Sequence, residues 1–242
     1  MTALLVASAL AKSFRGLQAV AGASFEVAEG GLSALIGPNG AGKTTLFNLI
    51  AGVFAPDAGT IEFAGRAIHG LRPDQVCAAG IGRTFQLVRP FPELTVLDNV
   101  VVGALRVERT VAGARSAARA VVAQLGLDAR ADQPAATLTL SDRKRLEVAR
   151  ALATRPRLLL LDEVMAGLTP TECDQMVEVF RGLHRAGGLT ILLIEHVMRA
   201  VMALAQDIRV LDRGRIIATG TPDQVVRDPA VLQCYLGEDT EL

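Results

Sequence analysis

The sequence predicts an α/β fold with a mostly parallel central sheet and an inserted helical segment, and three observations predict it. The first is a pair of nearly continuous apolar runs, Leu158–Leu161 and Leu189–Ile194, of strand length. Strands buried on both sides of a parallel sheet read this way. The second is their alternation with helical stretches such as Pro170–Arg185, an order that builds a sheet covered on both faces. The third is a change of period between about Thr95 and Ala153. There Leu94, Leu97, Val101 and Leu105 recur at steps of three and four, and Val121, Val122 and Leu125 follow the same rule.

Taken in order, the chain begins strand-rich, with Leu4–Leu10, Ala23–Val27 and Leu32–Ile36. A glycine-rich loop follows, then a helix over Thr44–Ala51. Thr60–Ala64 and Ile81–Gln86 are further expected strands, and the helical insertion comes next. After Leu158–Leu161, Pro170–Arg185 and Leu189–Ile194, the segments Ile208–Leu211 and Arg215–Ala218 flank Asp212-Arg213-Gly214, a hairpin pattern.

Residues 37–45 carry the most specific chemistry. Gly37-Pro38-Asn39-Gly40-Ala41-Gly42-Lys43-Thr44-Thr45 fits the phosphate-binding pattern G-x-x-x-x-G-K-[ST] without a mismatch. The glycines let the backbone turn so that successive N–H groups point at phosphate oxygens. Lys43 is placed to reach the β- and γ-phosphates, and the Thr44 hydroxyl to reach Mg²⁺. The helix that follows puts its positive end under the phosphates.

Other candidates gain weight beside that loop. Leu158–Leu161 delivers Asp162 and Glu163 to the C-terminal end of a buried strand, where ligands bind in open α/β sheets. Asp162 is a candidate Mg²⁺ holder, directly or through water, and Glu163 a candidate to orient or deprotonate an attacking water. His196 ends another buried strand and can reach a γ-phosphate. His69 and His184 have no such company and read as surface residues. Gln86 ends a strand just before the insertion and can touch Mg²⁺ or water. Phe14 either stacks on an adenine or packs into the core.

Composition narrows the classes. With 25 basic and 25 acidic residues the net charge is zero, so no broad nucleic-acid footprint is expected. No apolar run approaches the ~20 residues of a membrane span, and no leader pattern of a basic then an apolar segment opens the chain. Cys77, Cys173 and Cys234 are scattered, with no metal or redox spacing, and read as packing residues of a protein kept reduced.

The phosphate loop, Gln86, a charged helix start near Ser141–Arg145, Leu158–Glu163 and His196, in this order, resemble the nucleotide-binding subunit of an ABC transporter over nearly the whole chain. The resemblance implies a P-loop NTPase of the ABC ATPase type: residues 1–86 as core with a small antiparallel β part, 87–154 as helical subdomain, and 155–242 completing the core. It implies ATP and Mg²⁺ as ligands, and a head-to-tail pair of ATPase subunits, homo- or heterodimeric. Each ATP would meet one chain's phosphate loop and the other chain's signature. By resemblance Phe14 stacks adenine, Glu163 is the base, His196 contacts the γ-phosphate, and Ala166-Gly167-Leu168-Thr169 crosses the interface. Gly82–Gln86, Phe91–Val100, Asp162–Leu168 and Gly220–Gly237 are similar to the ATPases of branched-chain amino acid importers, and importers of urea, small amides and aromatic acids share that architecture. Transmembrane permeases, an indirect solute-binding protein and a peripheral place on the cytoplasmic face of the inner membrane follow from this, with no nucleic acid.

The signature departs from the family pattern Leu-Ser-Gly-Gly-Gln. Here it reads Leu138-Thr139-Leu140-Ser141-Asp142, so both glycines are replaced and an acid stands where Gln is usual. The Asp142 charge should weaken a phosphate contact unless nearby Arg143 or Lys144 offsets it. Thr139-x-x-Asp142 also matches a capping-box-like start, so the segment either presents helix amides to the partner's ATP or only caps a helix. Other readings compete. A soluble ABC-type ATPase acting on nucleic acid or ribosomes would carry tandem units, coiled-coil insertions or basic extensions, none of which is visible. A binding-only module is opposed by intact Lys43, Thr44, Asp162, Glu163 and His196. A small-molecule P-loop kinase would need neither the signature helix nor His196.

Overall fold

The computed structural model describes residues 2–85 and 90–236. Two sheets organise them. The first is antiparallel, ordered β2-β1-β4-β5, from β1 (Ala3–Phe14), β2 (Leu17–Ala28), β4 (Ala58–Phe63) and β5 (Arg66–Ala67). The chain turns between β1 and β2 at Arg15 and Gly16, both at positive φ. The second has six strands, ordered β10-β9-β3-β8-β7-β6: β3 (Leu32–Ile36), β6 (Ile81–Arg83), β7 (Leu158–Asp162), β8 (Thr190–Ile194), β9 (Asp207–Asp212) and β10 (Arg215–Gly220). Its neighbours run parallel except β10, which forms the expected hairpin with β9.

The continuous apolar runs are explained by what lies on each face. Leu159 and Leu161 of β7, with Ile191 and Leu193 of β8, enter one hydrophobic cluster. That cluster holds α6 (Pro170–Arg185) and α7 (Met198–Leu204). Leu158 and Leu160, with Leu192 and Ile194, enter a second cluster with α1 (Lys43–Ile50) and the antiparallel sheet. Because successive strand residues point to opposite faces, a strand sandwiched between two cores must be apolar at every position.

Between β6 and β7 lie α3 (Val96–Ala104), α4 (Val111–Gln124) and α5 (Leu140–Leu152). Thr95, Thr110 and Thr139 cap them, each hydroxyl accepting a backbone N–H three residues on. Pro170 at the first turn and a Thr169–Glu172 capping box set the start of α6 where the sequence places it. Strand β6 ends at Arg83, earlier than expected, and Thr84 continues by donating its N–H to the Leu160 carbonyl at 2.9 Å. Four helices carry too short a pattern to be read from sequence: α2 (Pro73–Ala79), α7, α8 (Pro222–Val225) and α9 (Pro229–Leu236).

Candidate functional site

The glycine-rich loop runs from the end of β3 into α1. Gly37 sits at φ 148°, where an added Cβ would lie 1.9 Å from the Leu211 carbonyl oxygen. Gly42 sits at φ 103°, where a Cβ would lie 2.2 Å from that of Ala19. Only glycine fits at either place. Gly40, by contrast, faces open space. Lys43 is buried and donates to the carbonyls of Gly37, at 2.6 Å, and Pro38, at 2.8 Å. Its ammonium thus lies against the loop that should hold phosphate. No acid occupies the first turn of α1 itself.

A cavity of about 440 Å³ opens over this loop. Asn39–Thr45 line it, and so do Phe14, Glu163 and His196, three residues that the sequence put on separate segments. The Phe14 ring packs edge-on against Phe54 with centroids 5.1 Å apart, and the residue stays 38% exposed on the cavity wall. Leu17, Gln18 and Ala19 at the start of β2 complete the wall. Sequence reasoning missed them; the available signal was Leu17, an apolar residue beside the β1–β2 turn, which is 73% exposed.

Glu163 and His196 meet because β7 and β8 are neighbours in register, with Asp162 opposite Ile194. Glu163 donates its N–H to the Ile194 carbonyl at 2.9 Å and adopts a positive φ of 50°. Its Oε1 lies 2.9 Å from His196 Nε2. One residue back, Asp162 is only 1% exposed and pairs with Arg83 at 2.9 Å, while Arg83 also donates to Asn48 at 2.6 Å. Burial raises the Asp162 carboxyl above its ordinary range, and Arg83 opposes the rise. Asp162 Oδ1 is buried with no hydrogen-bond partner among the described residues. An orphan carboxylate oxygen behind a phosphate loop fits a hydrated divalent cation. Gln86, the other candidate metal contact, lies outside the described residues.

Behind this site is a buried charge cluster that the sequence reading passed over. Glu195 is 2% exposed and accepts the Met165 N–H at 2.8 Å. Burial pushes its carboxyl up to about 7. Lys144 of α5 is 5% exposed and donates to the Glu163 carbonyl at 3.0 Å; burial lowers its ammonium. For Glu195 the signal was an acid directly after the apolar run Ile191–Ile194; Lys144, between Arg143 and Arg145, carried none.

In the signature segment, Thr139 caps α5, its Oγ1 accepting the Asp142 N–H at 3.2 Å. The Thr139 hydroxyl donates to Asp142 Oδ2 at 2.8 Å. The expected offset of the Asp142 charge is corrected here. It comes from Arg130, whose Nη1 lies 2.9 Å from Asp142 Oδ2. Arg143 is turned to the Leu138 carbonyl and Lys144 to that of Glu163, so neither reaches Asp142. Ser141 is buried, while Leu140 is exposed and packs on Gly167, where a Cβ would sit 3.2 Å from its Cδ2.

A glycine-rich loop ahead of a helix, with a carboxylate and an imidazole across the same cavity, defines a P-loop nucleoside-triphosphatase site. Residues 20–166 match the family model described as ABC transporter, and residues 215–241 match that of the branched-chain amino acid ATP-binding cassette transporter. The chain is 39% identical over 250 residues to the high-affinity branched-chain amino acid transport ATP-binding protein LivG of Salmonella typhimurium, covering 97% of this chain and 98% of that one. It is equally similar, 39% over 97% and 98%, to BraF of Pseudomonas aeruginosa, which bears the same description. Among solved structures, a nucleotide-free ATP-binding cassette from an ABC transporter superposes with TM-score 0.88 at 29% identity, covering 97% and 99% of the two chains. The ADP conformation of MJ1267, an ATP-binding cassette of an ABC transporter, does so with TM-score 0.88 at 30% identity, covering 98% and 100%. The chain belongs to the ATP-binding cassette family, as an ATPase of the ABC transporter type.

Proposed function

We propose that this chain is the ATP-hydrolysing subunit of an ABC importer for branched-chain or related amino acids or small amides. The observation that carries the solute class is the match of residues 215–241 to the branched-chain cassette model, supported by similarity to LivG and BraF over 97% of the chain.

Within that reading Phe14 stacks the adenine, and Gly37, Pro38, Asn39, Gly40, Ala41, Gly42, Lys43, Thr44 and Thr45 hold the phosphates, Lys43 swinging from its loop carbonyls onto them. Thr44 and Asp162, with Gln86, would hold Mg²⁺, which when bound offsets phosphate charge. Glu163 orients and deprotonates the attacking water. His196 fixes the Glu163 carboxylate through the 2.9 Å contact and presents its ring to the γ-phosphate. Thr139, Leu140, Ser141 and Asp142 face the partner ATPase's nucleotide, with Arg130 neutralising Asp142. The parts divide at 1–86, 87–154 and 155–242.

The groove of about 270 Å³ between α1, α2, α3 and α5 exposes Val53, Phe85 and Val102. A permease segment docking there would cover them. No helix among the described residues is long and apolar enough to cross a membrane. Membrane attachment therefore runs through permease partners, which we place at the cytoplasmic face of the inner membrane, with a solute-binding protein beyond them. The balanced charge supports no nucleic-acid partner.

Glu163→Gln tests the site. ATP binding should persist while hydrolysis falls roughly a hundredfold or more. Turnover near that of the unaltered protein would remove Glu163 as the base.

A further inference from the structure

We infer that Lys144 is a positioning residue for Glu163: reaching from α5, it holds the Glu163 backbone by its carbonyl, so that the aim of the hydrolytic carboxylate depends on the seat of the signature helix. This deepens the proposed role of Glu163 and rests on it.

The backbone of Glu163 needs holding. At φ 50° it occupies a conformation that a side-chain-bearing residue keeps only where its surroundings enforce it. Four described contacts do so. The N–H goes to Ile194 of β8 at 2.9 Å, Oε1 meets His196 at 2.9 Å, and the carbonyl accepts both the Ala166 N–H of its own turn at 3.2 Å and the Lys144 ammonium at 3.0 Å. The first two belong to the sheet that also carries the glycine-rich loop, and the Ala166 contact is local. Of the four, Lys144 alone comes from the helical insertion.

Lys144 is suited to that place and to little else. An ammonium buried to this degree is costly unless carboxylates face it. Here Glu195, Asp162, Glu147 and Glu163 surround it, and the first three are themselves buried. The other nearby cations are engaged: Arg83 with Asp162 and Arg150 with Glu147. Burial lowers the ammonium and these acids oppose the drop, while its described hydrogen bond goes to the strained carbonyl.

The consequence is geometric. The same helix begins at Thr139–Asp142 and reaches Lys144 just over one turn later. Leu140, at that start, also packs on Gly167, four residues after Glu163. A shift of α5, from nucleotide at its N-terminus or from a permease against the insertion, moves Lys144 and so loosens or tightens Glu163. One rigid element thereby links whatever meets the signature to the hydrolysis step of its own chain.

The test measures ATP turnover against ATP concentration in the transporter assembled with its permeases, for K144M, K144R and E163Q, with nucleotide binding followed separately by a fluorescent ATP analogue. K144M should lower kcat roughly tenfold to a hundredfold while KM and nucleotide binding stay nearly unchanged. K144R, which keeps a cationic donor, should recover most of the loss. A purely structural lysine would instead lower thermal stability and binding together, without rescue by arginine, and that result overturns the inference. So does an unchanged kcat in K144M. Should K144M not assemble, K144A removes the donor with less bulk and reads the same split; full turnover there also overturns it. Turnover retained in E163Q would sink the assignment of the base itself, whereas an inactive E163Q beside a fully active K144M would sink only the role of Lys144.

Discussion

At the scale of single residues, the site is a set of acids kept apart by their surroundings. Asp162 and Glu195 are both buried, but Asp162 has Arg83 in contact while Glu195 has the backbone N–H groups of Met165 and His196 and the more distant Lys144. Desolvation therefore dominates for Glu195 and raises its carboxyl from 4.5 to about 7. A raised carboxyl binds its proton more tightly in the folded state than in the unfolded chain. The stability it contributes is fully present below about pH 4.5 and is lost as pH rises through about 7. The shift corresponds to roughly 3 kcal/mol at most. Glu195→Gln keeps an acceptor for Met165 and removes the titration. Chemical unfolding of the two proteins at pH 5 and pH 8 should show E195Q gaining on the unaltered protein as pH rises; equal pH slopes would contradict it. His196 illustrates how context decides a residue. A strand-end histidine means little alone, and here its ring nitrogen meets Glu163 over the phosphate loop.

At the scale of elements, α5 reconciles a broken motif with a sound helix. Leu140 and Ser141 replace glycines in its first turn, where Thr139 supplies the cap and Asp142 answers it. A helix beginning this way is more stable than one beginning with glycines, each of which costs about 1 kcal/mol in a helix interior. Its amides are correspondingly less able to close on a phosphate, with the Leu140 side chain standing exposed at the helix start. We therefore expect the partner's nucleotide site to be the weaker of two in a heterodimer. Leu140→Gly with Ser141→Gly should raise turnover of the assembled complex while lowering the melting temperature of this chain. A complex with unchanged turnover would mean that the segment caps a helix and nothing more.

At the scale of the molecule, two cores share one sheet, and the chemistry collects along the edge where its strands end. The polar loops and carboxylates sit there because both faces are taken by apolar packing. Val53, Phe85 and Val102 stand exposed together between α1, α2 and the helical insertion, the expected permease face. Gentle isolation of the tagged chain from native membranes should therefore bring two multi-span permeases and a second ATPase with a glycine-bearing signature. Recovery of soluble or nucleic-acid-associated proteins alone would favour an ABC-type ATPase of another kind.

By itself the sequence determined the strand–loop–helix at Leu32–Ile50, the buried strands β7 and β8, the start of α6 and the β9–β10 hairpin. Each depends on local rules: apolar periodicity, a proline with its capping box, and glycines that a turn requires. It also named Glu163 and His196, because motif order substitutes for distance. Only the tertiary structure decided which charges meet. Arg130 rather than Arg143 or Lys144 answers Asp142, and Lys144 turns inward to Glu163. Residues 12 and 19 positions apart in the chain become neighbours only through packing, and side-chain direction on a helix follows from what covers each face. The walls supplied by Leu17–Ala19, and the buried acid Glu195, were hidden for the same reason: burial and proximity are properties of the folded whole, and no local pattern encodes them.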